Sequence, residues 1–158
     1  MKVVRELLAA LGLLSAIFVV VFNYRELPRR IPTHFGMTGA ADGWGDKSAL
    51  WILVGLVCVS YAVLSLVRFL PANAMNLPVA EEQRGAAMPI GLEMIGWVKA
   101  ETTCMFAFIV WTAVAVVEGR SQGLGAWFLP VILVTIFGTI AFYFVRMRRL
   151  DSSKPDEG

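Results

Sequence analysis

The chain has 158 residues, 58% of them apolar and only 16% charged, with a net charge of +2 and a mean hydropathy of +0.69. Water-soluble domains run near 45–50% apolar and about 25% charged, so this composition excludes a disordered chain and an ordinary soluble domain. A net charge this small gives no footing for a polyanionic partner, and no nucleic acid is expected.

Four apolar runs follow one another. The first, 7–22, is preceded by Lys2 and Arg5 and followed by Asn23, Tyr24 and Arg25. A secretory signal ends in small residues at an A-x-A-like site; this run ends in Val19-Val20-Val21-Phe22, and an uncleaved anchor is expected. The second run is 50–67, the third has an uncharged core at 102–117, and the fourth, 126–145, ends in Arg146, Arg148 and Arg149. A helix needs roughly 20 residues to cross about 30 Å of hydrocarbon. Continuous runs of this kind are helical spans, since barrel strands alternate. The expected fold is therefore all-α: an integral membrane four-helix bundle with an ordered extracytoplasmic loop between the first two helices. Its parts are a two-span unit at 1–70, a cytoplasmic linker at 71–92, a second transmembrane hairpin at 93–147 and a cytoplasmic tail at 148–158, polar and disordered from Asp151 on. Gly12 and Ala16 form a small-xxx-small pair where helix backbones can approach, and Pro130 falls where a missing N–H costs little.

Basic residues set the expected orientation. The face with both termini and the 71–92 linker holds Lys2, Arg5, Arg68, Arg84, Lys99, Arg146, Arg148, Arg149 and Lys154; the other holds Arg25, Arg29, Arg30, Lys47 and Arg120. Positive charge collects inside, which predicts cytoplasmic termini in an inner (plasma) membrane. Tyr24 and Trp127 suit an aromatic belt on one boundary, and Trp97 and Tyr143 on the other.

The loop between the first two spans differs from everything around it. Pro28 and Pro32 fix φ and push Leu27 and Ile31 toward extended geometry, so the chain should leave the first helix as a stiff, non-helical strand. Leu27 and Ile31 then become apolar contacts on one side of it. Gly36, Gly39, Gly43 and Gly45 supply tight turns, and Asp46 or Ser48 can cap the second helix. The expected product is a compact cap over the helix ends.

The pattern Leu27-Pro28-x2-Ile31-Pro32-x-His34-x4-Gly39-x2-Asp42 resembles the signature of a bacterial membrane domain of unknown function. That domain occurs alone and at the N-terminus of SdpI-type immunity proteins, which protect producing cells from a secreted peptide toxin. The resemblance covers about residues 8–70. It implies an integral membrane protein linked, in one branch, to toxin immunity and to signalling by sequestering a repressor.

Pro28, Pro32, His34, Gly39 and Asp42 are the candidate ligand-binding or loop-organising residues. His34 is the only histidine; imidazole can bind metal, carry protons or hold a loop. Asp42, eight residues on, can fold back to meet it. One histidine with Asp42 and Asp46 falls short of the usual three or four zinc ligands. No metal, cofactor or catalytic residue is expected, because Thr33, Thr38 and Ser48 lack a nucleophile's surroundings and the glycines form no phosphate fingerprint. Cys58 and Cys104 read as small hydrophobes. In the third span, Glu93, Trp97 and Glu101 share one helix face. Lys99 can reach toward head groups, and Glu101 is expected to pair with Arg68 inside the membrane. A short interfacial helix at 80–87 or a solvated connection suits the linker.

The sequence therefore predicts a non-enzymatic membrane protein of an immunity or sensor type, touching a peptide, lipid or protein ligand through the loop. The second reading is a structural subunit packing against a larger membrane complex, or against another copy of itself.

Overall fold

A computed structural model describes residues 1–151; the tail expected to be disordered lies almost wholly outside the described residues. The chain runs α1 (Lys2–Asn23), β1 (Arg30–Phe35), β2 (Ala41–Asp46), α2 (Ala49–Leu66), α3 (Arg84–Val117) and α4 (Phe128–Asp151). Four helical segments among the described residues are long and apolar enough to cross a membrane, the mark of a multi-pass membrane protein. The all-α expectation needs correction, because the loop between α1 and α2 folds as a two-stranded antiparallel sheet.

The helices pack around α3. On α1 the buried residues are Arg5, Ala9, Gly12, Ala16 and Val20, steps of three and four that draw one narrow stripe of mostly small side chains. At its centre α1 and α3 touch backbone to backbone: a Cβ on Gly12 would stand 2.7 Å from the Thr103 carbonyl carbon and 2.8 Å from the Cys104 nitrogen. Gly12 and Ala16 thus work as the small pair suggested. Thr103 keeps its hydroxyl satisfied at this seam by donating to the carbonyls of Lys99 at 3.1 Å and Ala100 at 3.0 Å. No covalent link competes with this packing, since Cys58 and Cys104 are both free.

Toward the hairpin, Val20, Leu27, Ile31, Leu50, Val54, Val110 and Val114 close one core. Ile31, beside Pro32, lies extended in β1; Leu27, before Pro28, sits instead in the bend after α1, its N–H donating to the Asn23 carbonyl at 3.1 Å, and both are buried. Toward the termini, Leu77, Ala87 and Met147 form a second core with Met75, Ile90 and Met94 around it. At 1.5 Å per residue, the 34 residues of α3 reach about 50 Å, some 20 Å more than the hydrocarbon thickness. Its first turns belong to this second core.

Here the expected boundary at residue 93 moves. The connection between α2 and α3 is made of 3₁₀ turns at Val67–Phe69, Ala72–Ala74 and Glu81–Gln83, and the last of these feeds α3 at Arg84. No separate helix occupies 80–87. The expected hairpin begins at Glu93, whereas the helix begins at Arg84; Glu93 and Lys99 within it both find partners. On the hairpin side Phe108 of α3 lies 5.6 Å from Trp127 and 5.4 Å from Phe128 at the start of α4. Most of the rest of α4 stays uncovered: 6% of its apolar window is buried, against 39% for α3.

Candidate functional site

The strands pair in the register Arg30↔Asp46, Ile31↔Gly45, Pro32↔Trp44, His34↔Gly43 and Phe35↔Ala41, with irregularities on both sides of His34. Pro32 brings no N–H to the ladder, and the slip beside it leaves His34 opposite Gly43. The turn is closed by Gly36 N–H donating to the Ala40 carbonyl at 2.9 Å and Gly39 N–H donating to the Gly36 carbonyl at 2.8 Å. Gly39 has φ +77°, a left-handed conformation that a Cβ disfavours. It also has no room for one, since a Cβ there would meet the Gly125 backbone at 2.4–2.5 Å. That close approach docks the hairpin on the α3–α4 connection, where Leu124 N–H donates to the Gly39 carbonyl at 2.8 Å and Ala40 bridges Gly123.

The other end of the hairpin is tied to α1. The Lys47 ammonium donates to the carbonyls of Tyr24 and Leu27, both at 2.9 Å, and lies 4.8 Å from the Tyr24 ring centroid. It satisfies the carbonyl of Tyr24, the C-cap of α1, and that of Leu27 in the bend beyond, and meets the negative end of the helix dipole. Asp46 Oδ1 accepts from the Ser48 N–H at 2.8 Å, a local turn just before α2; the helix itself, with Ser48 at its N-cap, has no side-chain cap, contrary to expectation. The hydrogen bond from the Ser48 N–H, joined by one from the Ser48 hydroxyl, holds the Asp46 carboxyl below its ordinary range.

Within this frame Asp42 does fold back: His34 Nδ1 and Asp42 Oδ1 are 2.5 Å apart. With a neutral imidazole, Nδ1–H donates and Nε2 is left as an acceptor without a protein partner among the described residues. The pair is open to solvent, with side-chain exposures of 71% for His34 and 52% for Asp42. Pro32 and Gly39 are buried, while Pro28 is exposed at the strand's approach. Beside the pair lies a pocket of about 350 Å³, walled by Ile31, Phe35, Leu53, Ile109 and Leu124, with His34 at its edge. Its lining is chiefly aliphatic, so it suits an apolar group, with the imidazole and carboxylate offered to a polar one. Met37, at the hairpin tip, is 87% exposed. Among the described residues no three His, Cys, Asp or Glu side chains gather as metal ligands.

The other candidates are arranged differently from expectation. Arg68 and Glu101 do not come together. Glu101 Oε1 accepts from the Thr139 hydroxyl at 2.5 Å, which links α3 to α4, and the Arg68 guanidinium lies 4.7 Å from the Phe69 ring centroid. Trp97 and Glu101 share an apolar groove bordered by α4. Lys99 does not reach for head groups; it is 3% exposed and donates to both Glu6 oxygens, at 2.9 and 2.7 Å, and to Ser65 at 3.1 Å. Glu93 accepts from Arg146 at 2.8 Å and stands 3.7 Å from Arg5, joining α1, α3 and α4. Sequence reasoning missed Lys47, Glu6 and Arg5. None of them had a local signal: Lys47 lies 23 and 20 positions from the carbonyls it meets, and Glu6 and Lys99 stand 93 positions apart.

Comparison with known proteins adds one domain and one relative. Residues 10–58 match the family described as a domain of unknown function (DUF1648); they span most of α1, the hairpin and the first half of α2. An uncharacterized protein of Archaeoglobus fulgidus is 31% identical over 78 residues, a match covering 40% of this chain and 43% of that protein. The matched part is thus less than half the length of this relative. No solved structure matches the chain.

Proposed function

We propose, from the match of residues 10–58 to a domain of unknown function, that this protein is a non-enzymatic accessory or sensor of the plasma membrane, of the immunity-associated kind. Its termini face the cytoplasm, as the basic residues favour, and the hairpin meets an extracytoplasmic ligand. The observation that carries this reading is the exposed His34–Asp42 pair at the edge of the roughly 350 Å³ aliphatic pocket. Such a pocket takes one apolar side chain or acyl end of a ligand, and the charged edge orients a polar neighbour. A short amphipathic peptide has that chemistry.

The test is deletion of the gene followed by challenge with secreted peptide toxins. Rescue by the wild-type gene, and its loss with His34→Ala or Asp42→Ala at equal membrane abundance, supports ligand contact through the hairpin. Full rescue by both variants removes this reading. A second reading has one observation of its own: α4 leaves most of its span uncovered. In that case the protein is a subunit of a larger membrane complex, and cross-links from cysteines placed along α4 would trap a protein partner rather than lipid alone.

A further inference from the structure

Between α1, the end of α2 and α3, on the face that carries the N-terminus, lies a second pocket of about 320 Å³. Four cations line it, Lys2, Arg5, Arg68 and Lys99, against two carboxylates, Glu6 and Glu93. Lys99 is committed to both oxygens of Glu6, and Glu93 Oε2 accepts from Arg146. The charge left over is therefore positive, on Lys2, Arg5 and Arg68.

Arg5 is the informative member. Its side chain is only 7% exposed, and its Nη1 lies 3.7 Å from Glu93 Oε1, beyond hydrogen-bond reach. Nη1 is buried and has no hydrogen-bond partner. The side chain lies across Gly96, where a Cβ would stand 3.1 Å from Arg5 Nε, so the missing side chain at Gly96 makes room for the guanidinium. A buried guanidinium with a free N–H, flanked by two further cations that make no ion pair among the described residues, is short of an anion. The rest of the lining includes Leu64, Leu92 and Ile95, which suits an amphiphile better than a free ion. Basic pockets between membrane helices are suited to acidic lipid head groups for this reason.

We propose that this pocket binds a phosphate group, presented by the head group of an anionic phospholipid, between Arg5, Arg68 and Lys2. The phosphate completes the hydrogen bonding of Arg5, and the aliphatic wall receives the glycerol and the first carbons of the chains. The site is independent of the hairpin and of any function assigned to it.

Short-chain phosphatidylglycerol, phosphatidylcholine and inorganic phosphate are titrated separately against the full chain in neutral detergent, with binding read by thermal shift and native mass spectrometry. Phosphatidylglycerol is expected to raise Tm saturably, and phosphatidylcholine is not. Lys2 and Arg68 are both exposed, so Lys2→Gln and Arg68→Gln should fold; each is expected to weaken phosphatidylglycerol about tenfold, the scale of one charge-assisted hydrogen bond. Arg25→Gln, on the hairpin side, should leave binding unchanged. Arg5→Gln should abolish binding, and Arg5→Lys, which keeps the charge without the fork, should retain part of it. Saturable binding of inorganic phosphate with the same variant pattern upholds the phosphate site and assigns it to a free anion. Equal binding of the two lipids, or phosphatidylglycerol binding untouched in the Lys2→Gln/Arg68→Gln double variant, overturns the proposal.

Discussion

The two ends of the molecule handle charge in opposite ways. At the hairpin end the hydrogen-bonded pair of His34 and Asp42 stands in solvent, and the local structure is held by backbone hydrogen bonds, turn glycines and the Lys47 and Asp46 contacts beside the helix ends. At the termini end Arg5 and Lys99 are 6% and 3% exposed and tie three helices together through Glu6, Glu93 and Ser65. An exposed pair adds little to stability, because water and salt already screen it. A buried cation in an apolar bundle must be partnered or it destabilises the fold. The hairpin pair thus contributes little to holding the fold, while the opposite cluster is committed to architecture at Lys99 and leaves Arg5 Nη1 without a hydrogen-bond partner.

The strongest way to break this contrast is to damage the seam that both ends share. Gly12→Val places a Cβ within 2.7–2.8 Å of the α3 backbone at Thr103 and Cys104. Backbone cannot swing aside, so α1 must move away from α3. The expected loss is about 3 kcal/mol or more, at the upper end of overpacking effects, read as a fall in Tm in detergent together with lost α1–α3 cross-linking. Next in size is Lys99→Ala, which strands Glu6 and removes three hydrogen bonds. Glu6 is 43% exposed and recovers some hydration, so the expected loss is about 2–3 kcal/mol. Adding Glu6→Gln to Lys99→Ala should cost less than the two single losses together; additive losses would show that the pair is not energetically coupled.

How much of each end could be read from the sequence follows from how local its determinants are. Leu27 and Ile31 were legible as buried contacts because each is an apolar residue beside a proline that ends the helix or starts the strand, and both enter the core. The approach of Asp42 to His34 was legible because glycines lie between them. The hairpin itself was not, since a strand containing Pro32 facing one with Gly43 and Gly45 lacks the β-branched alternation that marks a pair. At the termini end legibility fails for a different reason. Lys99, Glu6, Arg5 and Glu93 are each plain in the chain, but their partners depend on how α1 docks against α3, which no local spacing records. Choosing Arg68 as the partner of Glu101 followed from proximity to the same membrane boundary, and helix rotation decided otherwise: Glu101 turns toward Thr139 on α4.

Two smaller effects sharpen the hairpin side. Lys47→Ala leaves the Tyr24 and Leu27 carbonyls to water and should cost about 1–2 kcal/mol, the scale of a lost helix cap. The loosening should be local, seen as faster amide exchange from Leu27 to Ile31 with the α1–α3 seam unchanged. His34→Ala should change stability by less than about 0.5 kcal/mol, as expected of an exposed pair. A drop in Tm comparable with that of Lys99→Ala would mean that the pair holds the hairpin rather than awaiting a ligand.

The finest distinction between the two ends is in acid. Asp46 is the hairpin-end carboxylate whose folded form favours ionisation, through the Ser48 amide first and the Ser48 hydroxyl second. A carboxyl held below its ordinary value stabilises the folded state above the unfolded-state pKa, and that contribution fades as pH falls through the folded one. The Ser48 amide should therefore be better protected from exchange in the wild type than in Asp46→Ala at pH 6, with the gap closing only below the ordinary aspartate range. The α1–α3 contacts near Gly12 should show no such difference between the two proteins. A gap that stays constant from pH 6 to pH 3 would mean that the side chain holds the Ser48 turn without its charge, and the contrast between the two ends would then rest on the exposed pair and the buried cations alone.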